Sequence, residues 1–139
     1  MRIVGVDPGN AGAVAVIYDG KNEKNLVTLY DMPTLVTEGK GKTKKGNVKK
    51  HTVLDEHRLR EIFVNLMPID MMIIEKAQSM PHQNAAATFN YAASYGILRG
   101  LCVGLEIPYE LCHPATWKRI MMKDSDKGKQ ASIVTAKRL

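Results

Sequence analysis

Two apolar runs, Arg2–Asp7 and Ala13–Tyr18, stand on either side of Pro8, Gly9, Asn10, Ala11 and Gly12. Val and Ile favour strands, and Pro, Gly and Asn between them supply the reversal that a hairpin needs. The chain is therefore expected to open with two antiparallel strands. This arrangement leaves one carboxylate, Asp7, at the end of a strand that otherwise reads as core. An Asp drawn into a core loses hydration at a cost of several kcal/mol unless it is paired or holds a cation. Asp7 either opens the Pro turn, where Asp is common, or does chemistry.

The segment NLVTLYDMP, residues 25–33, reads as a third strand after another turn, which makes an antiparallel meander. Six lysines (Lys40, Lys42, Lys44, Lys45, Lys49 and Lys50) then crowd a stretch without apolar periodicity, expected as a mobile, solvated loop, with a segment bent over a DNA arm as the less favoured alternative. From Val53 the period changes. Leu59, Ile62, Phe63, Leu66 and Met67 recur at helical spacing and Pro68 ends the pattern. Residues 70–75, DMMIIE, form a short continuous apolar run of the kind found in a fully buried strand, closing on the carboxylate of Glu75. A strand reached through a helix is most simply parallel to its neighbour. A long Ala-rich helix over residues 84–105, a fifth strand in IPYELCHP, a short helix in ATWKRIMM and a last helix over residues 127–139 complete the reading. The expected fold is α/β: a five-stranded mixed sheet, three antiparallel strands then two parallel, flanked by helices. All 139 residues are expected to form one domain, a length that buries roughly two-thirds of the unfolded surface without metal or disulfide staples.

Asp7 and Glu75 each close a strand. If those strands are neighbours, about 4.8 Å apart, the two side chains can share a cation, and oxygen ligands of this kind suit Mg²⁺ or Mn²⁺. A net charge of +6 favours an anionic partner such as nucleic acid. Cys102 and Cys112 lack metal-ligand spacing and are expected to be small apolar side chains. The apolar runs fall short of a membrane span, and Met1 leads straight into a strand without signal-peptide organisation, so the expected location is cytoplasmic. His51, His57, His82 and His113 form no usable spacing. Phe89, Tyr91 and Tyr95 on the long helix are expected in core or dimer packing.

VDPGNAGAVAV, then IIEKAQSMPHQNAAATFNYAASYGILRG, then IPYELCHPATWKRIM closely resemble, in order and spacing, the RuvC-like Holliday junction resolvases of the RNase H-like superfamily, in particular the phage type. The resemblance implies a bacterial cell, with a phage-encoded protein as one origin. It implies a homodimer on a four-way or other branched DNA junction, each subunit nicking one strand by metal-dependent phosphodiester hydrolysis with two ions per site. Asp7 and Glu75 take the ligand roles, and Lys118, Lys127 and Lys129 match lysines lining the catalytic face. Phosphate contacts by such lysines position a duplex without reading its sequence. Gln78, Met80 and His82 occupy the loop where the bacterial resolvase carries a stacking aromatic. Met80 offers an apolar wedge for a base step, and a plain solvated loop is the alternative for all three.

The family completes its site with an acidic pair, or a His and an Asp, on a helix near the C-terminus. This chain ends at ASIVTAKRL, where such a helix is expected to begin, so the domain is read as lacking it. Asp124 and Asp126 read as solvated loop acids. A branched-DNA binding protein that does not cleave is the alternative function. An enzyme acting on RNA·DNA hybrids ranks lower, because SMPHQNAAATFNYAASYG and PATWK are resolvase-like rather than general to the superfamily.

Overall fold

The computed structural model describes residues 1–18, 26–42, 44–76 and 85–122. Its main sheet has five strands: β1 (Arg2–Asp7), β2 (Ala13–Tyr18), β3 (Leu26–Asp31), β6 (Met71–Glu75) and β7 (Tyr109–Cys112). Their spatial order is β3-β2-β1-β6-β7. β1 pairs antiparallel with β2, and β2 with β3, while β6 runs parallel to both β1 and β7. This is the mixed sheet expected from the sequence, in an RNase H-like arrangement.

Alternation explains the core. Val4, Val6, Val14, Val16, Met72 and Ile74 all point into one buried face, as the two-residue period of neighbouring strands requires. Helix α1 (Glu56–Leu66) covers this face with Leu59, Ile62, Phe63 and Leu66, and Asp55 caps its start by accepting from the Arg58 N–H at 2.9 Å. Helix α2 (Ala85–Gly104) adds Leu98 and Cys102. Burial pushes the Cys102 thiol up to about 11, in keeping with a small apolar role for it. Helix α3 (Pro114–Met121) starts with Pro at its first position and His113 as cap, its Nδ1 accepting from the Ala115 N–H. No helix among the described residues is long and apolar enough to cross a membrane.

One segment departs from expectation. The Lys-rich stretch is a second, two-stranded sheet rather than a loop: β4 (Thr34–Lys42) pairs antiparallel with β5 (Val48–Leu54). Its register shifts between Glu38 and Lys42. Apolar periodicity is absent because almost none of the described residues of this hairpin is buried; among them only Leu54 reaches the core. The expected helix over residues 127–139, and Asp124 and Asp126, lie outside the described residues.

Candidate metal and nucleic-acid site

The site is built at the carboxyl end of the central parallel pair. Val6 of β1 stands opposite Ile74 of β6, so the next residues, Asp7 and Glu75, leave the two strands side by side. Behind Asp7 the chain reverses tightly: the Gly12 N–H donates to the Gly9 carbonyl at 3.0 Å. Two glycines make this possible. Gly9 has φ +123°, a conformation that L side chains rarely adopt, and a Cβ on Gly12 would stand 1.9 Å from the Asp7 carbonyl oxygen. The turn therefore closes through its backbone. Among the described residues no hydrogen bond engages the Asp7 carboxyl.

Asp7 is open to solvent on one side while protein atoms crowd it on the other. That partial burial, and then the negative charge of Glu75, raises its pKa above 3.8. A carboxylate whose charged form is disfavoured beside a second carboxylate gains from a shared cation, and the oxygens of the two are the donors that Mg²⁺ and Mn²⁺ take. The pair fits such an ion. Among the described residues, no group of three or more His, Cys, Asp or Glu side chains gathers to hold a metal.

Two aromatic residues complete the surroundings. Trp117, half-buried on α3, donates its indole N–H to Glu75 Oε2 at 2.9 Å. Tyr91, in the second turn of α2, packs over the turn that follows Asp7: a Cβ at Gly9 would meet its ring at 3.4 Å. Its phenol pKa is raised by burial, then by Asp7, Glu75 and Tyr95, which puts it within the field of both carboxylates. Tyr91 thus lies at the site rather than in the core. Tyr95 packs against the core and carries the Arg99 guanidinium 5.7 Å from its ring centre. Phe89 is 74% exposed, so it is not a core residue.

Of the residues singled out in the sequence, Asp7 and Glu75 come together. Lys118 follows Trp117 on α3 and holds its Nζ 5.4 Å from the centre of that indole ring. Gln78, Met80, His82, Lys127 and Lys129 lie outside the described residues. Sequence reasoning missed the Trp117 contact and the place of Tyr91. A usable signal existed for both. A half-buried indole N–H needs an acceptor, and a helix that follows β6 begins near the end of β6, so its first turns pass the Glu75 edge.

A groove lined by Gly9, Asn10, Ala87, Asn90, Tyr91 and Ser94 runs beside the turn. It shares Asn10, Asn90 and Ser94 with a second groove that reaches Val53 and Leu54 at the base of the β4–β5 hairpin.

The sequence matches no protein-family model and no curated protein. Solved structures do match. RuvC of Thermus thermophilus superposes with a TM-score of 0.60 at 14% identity, over 97% of this chain and 77% of that one. T. thermophilus RuvC in complex with Holliday junction substrate gives 0.56 at 13% identity, over 90% of this chain and 73% of that one. The chain carries the RNase H-like fold of RuvC.

Proposed function

We propose that this protein is a structure-selective endodeoxyribonuclease that resolves four-way or other branched DNA by hydrolysing phosphodiester bonds. The observation that carries the reading is the pairing of Asp7 with Glu75 at the carboxyl ends of adjacent parallel strands, in a fold shared with a RuvC whose structure includes a junction substrate. The resemblance of the stretches from Val6 to Val16 and from Ile73 to Gly100 to phage-type resolvases is the ground for proposing that type.

Mg²⁺ or Mn²⁺ ions held by Asp7 and Glu75 would supply positive charge where an attacking water and a departing 3′ oxygen gain negative charge. The chain's own groups do the rest. Trp117 fixes one oxygen of Glu75 and so sets how that carboxylate faces its partner. Tyr91 walls one side of the approach beside Gly9. Lys118, next to Trp117 on α3, brings an ammonium suited to a phosphate oxygen. Gln78, Met80 and His82 are assigned to the junction-facing loop, and Lys127 and Lys129 to phosphate contacts. A homodimer presents two such sites to the two strands that a resolution event nicks.

A second reading is binding of branched DNA without cleavage. The two-carboxylate count among the described residues favours it. One experiment separates them: incubation of a synthetic four-way junction with the protein and Mg²⁺ or Mn²⁺. Nicking by the wild type, abolished in Asp7→Asn with junction binding retained or tightened, supports the nuclease. Binding without nicking by the wild type supports the second reading. Loss of binding together with cleavage in Asp7→Asn would remove the metal-ligand role from Asp7.

A further inference from the structure

We propose that the β4–β5 hairpin is a phosphate-tracking arm that holds a DNA duplex leading into the Asp7–Glu75 edge. The proposal extends the DNA-handling reading above to a surface that reading does not use. Three observations carry it.

The first is charge. Between Thr34 and Leu54 the sequence has six lysines and one glutamate, net +5 of the chain's +6. Lys42, Lys44, Lys45, Lys49 and Lys50 are all exposed, and none takes part in an ion pair within the described structure. Like charges gathered on one slender element repel, and of the described residues of the hairpin only Glu38, opposite Lys50, carries a negative charge. A polyanion offsets that repulsion.

The second is shape. An isolated two-stranded hairpin is marginal in water, and this one exposes both faces along most of its length. It contributes little to the core beyond Leu54. Seven residues of β5 extend over about 20 Å, and duplex DNA carries roughly one charge per 1.7 Å of axis. An arm of that length runs past about a dozen phosphate charges.

The third is placement. Asp7 pairs with Ala13, and Ala13 with Asp31, so β3 ends at the same edge of the sheet as the Asp7 carboxylate. The hairpin leaves from there two residues later. Its root is fastened to the turn that follows Asp7: Asn10 Nδ2 donates to the Thr52 carbonyl at 2.7 Å, and the Met32 N–H donates to the Gly12 carbonyl at 3.0 Å. The Asp55 N–H closes the base on the Pro33 carbonyl at 2.9 Å. The two joined grooves then connect the hairpin base with Gly9 and Tyr91. A duplex lying along the arm is thereby aimed at the carboxylates.

The test compares wild type with a variant carrying Lys44→Gln, Lys45→Gln, Lys49→Gln and Lys50→Gln. Binding of a fluorescent four-way junction and of a plain duplex is measured by anisotropy from about 50 to 200 mM KCl, with thermal unfolding of both proteins alongside. Each lost phosphate contact makes the negative slope of log affinity against log salt shallower by about 0.9. The expected result is a slope shallower by roughly 2–4, with affinity at least about tenfold weaker at low salt for both DNAs and unfolding unchanged. An unchanged slope in a variant that remains folded overturns the arm, whether or not the junction is cleaved. A wild type that binds neither DNA also overturns it. If the slope becomes shallower as expected while the wild type fails to cleave with Mg²⁺ or Mn²⁺, the arm stands and the nuclease reading falls.

Discussion

Trp117 donates to Glu75 across the neighbouring strand: α3 follows β7, β7 pairs with β6, and the indole N–H meets Oε2 at 2.9 Å. The bond ties one candidate ligand to an element 42 residues away and removes one of its rotational freedoms. Outer partners of this kind typically hold metal affinity by a factor of 10–100. Trp117→Phe keeps most of the apolar bulk and deletes the donor. It is expected to weaken Mn²⁺ binding, read by isothermal titration, by about tenfold, with a stability loss near 1 kcal/mol because water replaces the bond at the half-exposed carboxylate. Equal Mn²⁺ affinity in the two proteins would leave Trp117 a purely packing residue.

The raised pKa of Asp7 gives a pH-dependent signature in metal-free protein. A carboxyl whose pKa is higher folded than unfolded binds its proton more tightly in the folded state. Its effect on stability is therefore most favourable below the ordinary value of 3.8 and becomes unfavourable as pH rises through the raised value. Asp7→Asn removes that penalty. With solvent screening on the open side, Asp7→Asn without metal is expected to melt roughly 2 °C above wild type at pH 7.5. The difference should vanish near pH 3.5. Added Mg²⁺ should raise the melting temperature of wild type and leave the variant where it was. Scanning calorimetry at the two pH values reads all three effects, and a variant that melts below wild type at pH 7.5 contradicts the charge repulsion.

What the sequence made legible follows from which forces leave a pattern in it. The central strands β1, β2 and β6 bury Val4, Val6, Val14, Val16, Met72 and Ile74 on one face, and that burial writes apolar runs bounded by turn residues. Asp7 and Glu75 stood out because each closes such a run. The β4–β5 hairpin left no such trace. Its residues are exposed on both faces, so main-chain pairing holds it and lysines are free to occupy it. Trp117 and Tyr91 left only general signals, an indole N–H that needs an acceptor and a helix that follows β6. Their contacts with Glu75 and Gly9 depend on how strands and helices stack, and helical spacing marks only the face a residue occupies, not the partner it meets.

Gly12 is held by space rather than by conformation alone. A Cβ there would stand 1.9 Å from the Asp7 carbonyl oxygen and 2.9 Å from the Asp7 carbonyl carbon, both backbone atoms. No rotamer change relieves such a clash, so Gly12→Ala must open the turn or shift β1. The expected loss is about 3 kcal/mol in urea unfolding. Asp7 is displaced with it, so Mn²⁺ affinity should fall in the fraction that remains folded. A variant as stable as wild type would mean that the turn does not close on Asp7.

Asn10 carries the corresponding prediction for the hairpin root. Its side-chain amide donates to the Thr52 carbonyl at 2.7 Å, while β4 and β5 otherwise hold mainly to each other. A solvent-exposed bond of this type contributes about 0.5–1.5 kcal/mol, little for the whole fold and a large share of what restrains a marginal hairpin. Asn10→Ala is expected to leave β1, β2 and β6 protected in hydrogen exchange while exchange across residues 34–54 accelerates severalfold. The urea midpoint should barely move. If exchange in the hairpin stays at the wild-type rate, the arm is restrained from elsewhere, through the Met32–Gly12 and Asp55–Pro33 main-chain bonds and the burial of Leu54. If exchange rises across the main sheet as well, Asn10 supports the turn behind Asp7 and not the hairpin alone.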